Sequence, residues 1–184
     1  ELVTPTDGKT NPLSAKTVKN IHGVFHKALQ QAVLIGYLRV NPTDACTLPR
    51  VIKKEMHPLE EDQVSAFLKE VQGNPHEYLY KIALFTGLRE GEILGLGWEH
   101  IDLENGILTV KRQLRKEQKK GGQYYFSPPK NNRTRCLSLA PSVVFLFCLQ
   151  KLKQNGMRLE AGDAWQENGL VFSNQTGGYL SYRT

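Results

Sequence analysis

A chain of 184 residues with 40% apolar and 23% charged content is long enough for one good core or two small ones, and it reads as globular rather than fibrous or disordered. No apolar run approaches the length of a membrane span, and the acidic, polar start has no secretory pattern. The three cysteines, Cys46, Cys136 and Cys148, are odd in number and lack paired metal-ligand spacing, which fits a reducing cytoplasm and a site without metal.

The net charge of +6 is local. Between Lys111 and Arg135 stand nine Lys or Arg residues and one acid, Glu117, whereas the rest of the chain holds 15 basic and 17 acidic residues. A block of like charge is often a solvated loop. This one lies between two strand-like runs and contains Tyr124, Tyr125 and Phe126, which suits a hairpin laid against a polyanion.

Residues 1–13, with Pro5, Gly8 and Pro12, read as a loop. From Ser14, a candidate N-cap, Val18, Ile21, Phe25, Ala28, Leu29 and Ala32 recur at helical spacing until Gly36. The other face carries Lys16, Lys19, His22, His26 and Lys27, either an ordinary wet face or one that tracks phosphates. Asn41-Pro42 ends a short element, and a connector rich in proline and basic residues runs to Pro58. The predicted division is 1–52 as the tail of a helical domain, 53–58 as linker and 59–184 as a second domain.

After Pro58, the acids Glu60, Glu61 and Asp62 open a helix whose apolar face is Val64, Phe67, Leu68 and Val71. The helical run from Tyr78 to Phe85 stops at Gly87, able to take the left-handed conformation that ends helices. Arg89 then starts a short helix whose other face, Leu88, Ile93, Leu94 and Leu96, is too apolar for water. Glu92, three residues on, can orient the guanidinium from the same face, although a plain surface ion pair has the same pattern. Leu103-Glu104-Asn105-Gly106 signals a turn, Ile107 to Leu114 alternates like a strand, and Gly121-Gly122 reads as a loop apex. Two prolines stiffen the backbone before Lys130. Pro141 opens an apolar helix over Val143–Leu152 that reads as core, and Leu170 to Ser173 reads as a short buried strand. The predicted fold class is mainly α with a small antiparallel β-hairpin or sheet.

The stretch Thr86-Gly87-Leu88-Arg89-Glu90-Gly91-Glu92, followed by Leu94 and by Trp98-x-x-Ile101-Asp102, resembles the segment that carries the first active-site arginine of tyrosine recombinases, the phage-integrase family. Leu13-Ser14-x-Lys16-Thr17-Val18 through Asn41-Pro42 resembles the end of that family's helical core-binding domain, and Leu59-x-x-Asp62-Gln63 the entry to its catalytic domain. Lys130 ahead of Arg135-Cys136-Leu137-Ser138-Leu139 matches the family's catalytic lysine and the strand that follows it. Lys111, expected on the hairpin's other strand, remains a competing candidate.

The resemblance implies strand cleavage and rejoining through a 3′-phosphotyrosine link, with two arginines and a His/Lys on the phosphate and a lysine that protonates the 5′-oxygen. Arg89 suits the first arginine because its planar fork can donate two charge-assisted hydrogen bonds to non-bridging oxygens. Lys130 suits a general acid, a role typically worth about 10²–10⁴ in rate, with Glu92 in support. Lys16, Lys19, Lys111, Arg112, Arg115, Lys119, Lys120, Arg133 and Arg135 are the expected DNA contacts. The implied partner is double-stranded DNA, with four protomers on two sites, no membrane, no cofactor and no metal, in a cytoplasmic protein of bacterial or phage origin.

The family's His-x-x-Arg motif, its later His/Trp position and its nucleophilic tyrosine have no match among these residues, and none of the seven tyrosines is assigned as nucleophile. The expectation is therefore part of an integrase that binds DNA weakly and cuts nothing. A non-catalytic DNA-binding regulator and a type IB topoisomerase-like enzyme remain alternatives.

Overall fold

The computed structural model describes residues 12–52, 55–119 and 121–181, the side chain of Asn131 apart. The chain forms two compact units, Glu1–Pro58 and Leu59–Thr184. Residues 53 and 54 of the predicted linker lie outside the described residues.

The first unit is built on helix α1 (Ala15–Leu34), capped by Ser14, whose Oγ accepts the Thr17 N–H at 3.1 Å. The helix runs out at Ile35, and Gly36 turns the chain at φ +82°. Asn41 explains the Asn-Pro pair that follows. Buried, it accepts from the Thr43 N–H and hydroxyl, capping a 3-10 turn over Pro42–Ala45, and its amide donates to the His26 carbonyl and to Gln30 Oε1. His22 and His26 differ from the expected wet face. His22 Nε2 lies 3.2 Å from the Thr43 carbonyl and His26 Nδ1 3.0 Å from its hydroxyl, so both rings tie α1 to the 3-10 turn instead of facing solvent freely.

The second unit begins with α2 (Glu61–Glu70), entered through a capping box in which Gln63 Oε1 accepts the Glu60 N–H at 3.0 Å. Helix α3 (Glu77–Thr86) ends at Gly87, which takes the left-handed conformation at φ +62°. Helix α4 (Glu90–Leu94) follows at once. Strands β1 (Ile101–Asp102) and β2 (Ile107–Val110) flank the turn at Gly106, where the Asp102 carboxylate accepts the N–H groups of Glu104 and Asn105.

The single strand expected over 107–114 is broken. It is two strands in two sheets, β2 and β3 (Gln113–Lys116), with Lys111 and Arg112 at the corner. The cause is tertiary: the Arg112 guanidinium reaches back to the Gly95 carbonyl at 2.9 Å and redirects the chain. Strand β3 pairs antiparallel with β4 (Tyr124–Ser127), the hairpin expected around Gly121-Gly122, and β5 (Arg135–Ser138) returns beside β2. The sheets are β1-β2-β5 and β3-β4, every pair antiparallel.

Helix α5 (Pro141–Ala161) outlasts the apolar run that predicted it. Val143, Phe147, Gln150 and Gln154 are buried at i, i+4, i+7 and i+11, while Phe145 and Leu152 are exposed, so the helix contributes one face to the core instead of the whole run. The core gathers Ile82, Leu108, Phe147 and Val171, all fully buried, with Leu88, Ile93, Leu94 and Leu96 around α4. Burying a side chain such as Phe147 stabilises by roughly 1.5–3 kcal/mol. The strand expected at 170–173 is buried but pairs only as an isolated bridge, Gly97 to Leu170. Two buried glutamines satisfy its carbonyls: Gln150 donates to Val171 and Gln154 to Leu170, and Gln154 Oε1 also accepts the Trp98 indole N–H at 2.6 Å. No helix among the described residues is long and apolar enough to cross a membrane.

Candidate functional site

Glu92 is the centre of the site. Its side chain is 1% exposed, and a carboxylate so buried needs partners. It has three. One oxygen accepts the Arg89 backbone N–H at 2.9 Å, capping α4 from its third position, and the other accepts the Arg89 guanidinium at 3.1 Å. Arg135, at the start of β5, donates from both terminal nitrogens, at 2.8 and 2.7 Å, in the forked geometry that makes Arg–carboxylate pairs strong. The Arg135 guanidinium, followed by the Arg89 bonds, holds the Glu92 carboxyl down to about 2 against the opposing effect of burial, and Glu92 raises Arg135 in turn.

Arg89 is thus tethered through its backbone and one nitrogen, while its side chain stays 65% exposed. It stands as the N-cap of α4, with the apolar face of that helix buried beneath it. Two glycines let α4 lie directly on β3. A Cβ at Gly95 would come within 2.6 Å of the Leu114 nitrogen, and one at Gly91 within 3.0 Å of the Leu114 carbonyl oxygen.

Lys130 is exposed and opens a 3-10 turn, Lys130–Asn132, between β4 and β5. Pro129 before it is buried and Pro128 is exposed. The turn is held at both ends: Gln113 of β3 donates its amide to the Pro128 carbonyl at 2.6 Å, and Arg135 is bound to Glu92. Lys111 sits at the corner between β2 and β3, outside any strand, which removes the expectation that it lies on the hairpin's other strand.

The remaining basic residues divide. Arg115, Lys119 and Arg133 are exposed, Lys119 with an ion pair to Glu117 at 2.9 Å, and Lys16 and Lys19 are exposed on α1 of the first unit. Lys120 lies outside the described residues. Arg112 does not join the exposed set. It is bonded to the Gly95 carbonyl, paired with Glu99 at 3.1 Å and stacked 4.1 Å over the Phe126 ring, all within its own unit. Arg135 likewise spends its two terminal nitrogens on Glu92 instead of facing a ligand freely. Of the hairpin aromatics, Tyr124 and Phe126 pack against Tyr179, at 5.4 and 5.9 Å between ring centroids, which leaves Tyr125 with Arg115 on the opposite face. Among the described residues no group of His, Cys, Asp or Glu could hold a metal ion.

The family model described as the phage integrase family matches residues 57–179. The chain belongs to the phage integrase family. Among curated relatives, it is 27% identical to a protein named tyrosine recombinase XerC-like from Caldanaerobacter subterraneus subsp. tengcongensis, over 89% of this chain and 46% of the relative. It is 26% identical to an integrase of Streptomyces ambofaciens, over 92% of this chain and 44% of the relative. The chain spans about half the length of these relatives. Among solved structures, the Tn1549 transposon integrase in complex with transposon right end DNA superposes with a TM-score of 0.73 at 27% identity, covering 92% of this chain and 54% of that one.

The motif around Arg89 was readable because its residues are close neighbours along the chain, from the end of α3 through α4 to β1. The part of Arg135 was not. Its basic character marked it for phosphate, and only the pairing of Val110 with Arg135 across β2 and β5 brings it to Glu92, 43 positions earlier. Gln113 gave no signal in the sequence, since an amide inside a strand is ordinarily solvated.

Proposed function

We propose that this chain is the portion of a site-specific DNA recombinase that supplies the first active-site arginine, Arg89, and the active-site lysine, Lys130. In a protein of its relatives' length it cleaves and rejoins duplex DNA through a 3′-phosphotyrosine intermediate. Residues 1–52 are read as the end of a core-binding domain, 53–58 as linker and 59–184 as the first part of the catalytic domain. Family membership and the names of the relatives support this reading, as does a structural neighbour described in complex with DNA.

The observation that carries it is the state of Arg89. A guanidinium whose backbone and one nitrogen are fixed by a buried carboxylate, and whose side chain is otherwise open, is pre-oriented for an oxyanion. Its free N–H groups can donate to the non-bridging oxygens of a phosphodiester as charge develops there, at little further entropic cost. Lys130, on a proline-stemmed turn, delivers the proton to the departing 5′-oxygen. Glu92 contacts neither the non-bridging oxygens nor the departing 5′-oxygen and acts by holding Arg89. Lys16, Lys19, Lys111, Arg115, Lys119, Lys120 and Arg133 neutralise phosphates on either side of the scissile one, and four protomers on two sites form the working assembly.

The test uses the 184-residue chain with a duplex carrying a nicked suicide site. The expected result is weak binding that falls steeply with salt and no covalent adduct. Absence of salt-dependent binding overturns the DNA reading, and a 3′-phosphate adduct overturns the reading that none of the seven tyrosines is the nucleophile.

A further inference from the structure

We infer that Gln113 and Arg135 are positioning residues that fasten the two ends of the Lys130 turn onto the Arg89 helix, so that the two cations are set as one unit. The inference rests on the recombinase reading for its purpose, but its geometry stands separately.

The turn from Pro128 to Arg135 has two anchors. At its start, the Gln113 amide donates to the Pro128 carbonyl at 2.6 Å. Gln113 belongs to the stretch of β3 on which α4 rests, because Gly91 and Gly95 bring the helix backbone against Gln113 and Leu114. At its end, Arg135 grips Glu92, which stands on α4 and itself holds Arg89. Both ends of the turn therefore lead back to the same short helix. Lys130 is two residues from one anchor and five from the other, and five residues of chain reach roughly 18 Å at most. Within the turn, the Asn132 N–H bonded to the Pro129 carbonyl and the left-handed Asn132, at φ 53°, close the loop without any contact from the Lys130 side chain being needed.

An exposed lysine needs this arrangement more than an arginine does. An ammonium on a four-carbon stem is a mobile point charge, and what the protein can fix is the backbone from which it starts. Arg89 is fixed through its own side chain. Lys130 is placed through Gln113 and Arg135, neither of which has to touch DNA to affect it.

The experiment compares the unmodified chain with Gln113→Ala, Arg135→Met and Arg135→Lys by backbone 15N relaxation, with and without a duplex of about 20 base pairs. In the unmodified chain, residues 130–134 are expected to have order parameters near 0.85, the value of rigid backbone. Gln113→Ala and Arg135→Met should each lower them toward 0.6, with Arg135→Lys intermediate because an ammonium cannot reproduce the fork. With duplex added, the Arg89 Nε resonance should still respond in Gln113→Ala while the Lys130 Cε response falls by at least about half. A merely structural role would lower thermal stability and leave the order of residues 130–134 and the Lys130 response unchanged, and that result overturns the inference. Should Arg135→Met fail to fold, Gln113→Ala and Arg135→Lys decide the matter. If no resonance of the unmodified chain responds to duplex, the recombinase reading fails, whereas the anchoring is still judged by the order parameters.

Discussion

Replacing Glu92 by Gln keeps the shape of the side chain and removes the charge on which two arginines converge. The expected cost can be worked from the carboxyl itself. Its ordinary value of 4.5 is brought down to about 2 in the folded protein, mainly by the Arg135 hydrogen bonds. At 1.36 kcal/mol for each pH unit, this difference corresponds to about 3 kcal/mol of stability at neutral pH. That is close to the range of about 3–5 kcal/mol seen when one partner of a buried ion pair is removed. The carboxyl takes up its proton near pH 4.5 in the unfolded chain but near 2 in the folded one. The contribution is therefore complete above about pH 4.5 and is lost as the pH falls toward 2. Both tryptophans, Trp98 and Trp165, lie in the unit Leu59–Thr184, so urea unfolding followed by tryptophan emission reports that unit. With a slope of roughly 1–3 kcal/mol per M urea, Glu92→Gln should lower the midpoint by about 1–3 M at pH 7. The gap between the two proteins should narrow between pH 4.5 and pH 2. A gap below about 1 kcal/mol at pH 7, or one that stays constant through that window, would refute the account of Glu92 as a buried, doubly held anion.

Gly95→Ala should destabilise the same unit by roughly 1–3 kcal/mol, because its Cβ would meet the backbone nitrogen of Leu114 at 2.6 Å and neither chain can step aside cheaply; thermal unfolding measures it. Gln154→Ala strips the Trp98 indole and the Leu170 carbonyl of their buried partner, and a loss of roughly 1–3 kcal/mol in urea is expected, together with a shift in Trp98 emission. For duplex binding, Lys119→Ala combined with Lys120→Ala should reduce the magnitude of the log–log salt slope by about 0.9 for each phosphate that the two lysines neutralise, as read by fluorescence anisotropy at several salt concentrations. An unchanged slope would make these lysines surface decoration.

The helical part of the fold was legible because its signals are local. Ser14 caps α1, Gly87 ends α3 at φ +62°, and the acids before Val64 start α2, each through bonds within a few residues. The corner at Lys111–Arg112 was not legible, since the alternation over 107–114 continues smoothly and the groups that hold Arg112, the Gly95 carbonyl, Glu99 and the Phe126 ring, all lie more than ten positions away. Helix α5 misled in the other direction. Its apolar run suggested burial all round, yet Phe145 and Leu152 face outward because the buried face continues through Gln150 and Gln154 instead. Buried amides look like surface residues in a sequence, and what reveals them is the irregular segment at 170–173 whose carbonyls they satisfy.

The sequence by itself determined the family, the Arg89 helix and the basic hairpin, because a motif of adjacent residues and a local excess of charge need no knowledge of which strands meet. Tertiary structure alone decided which cations are free and which are employed. Arg112 and Arg135 have the same chemistry as Arg115 and Arg133, but a pairing across β2 and β5 and a carbonyl at the end of α4 bring the first two within reach of acceptors. Whether a guanidinium faces solvent or its own protein depends on groups tens of residues away, and proximity of that kind is set by folding rather than by spacing along the chain.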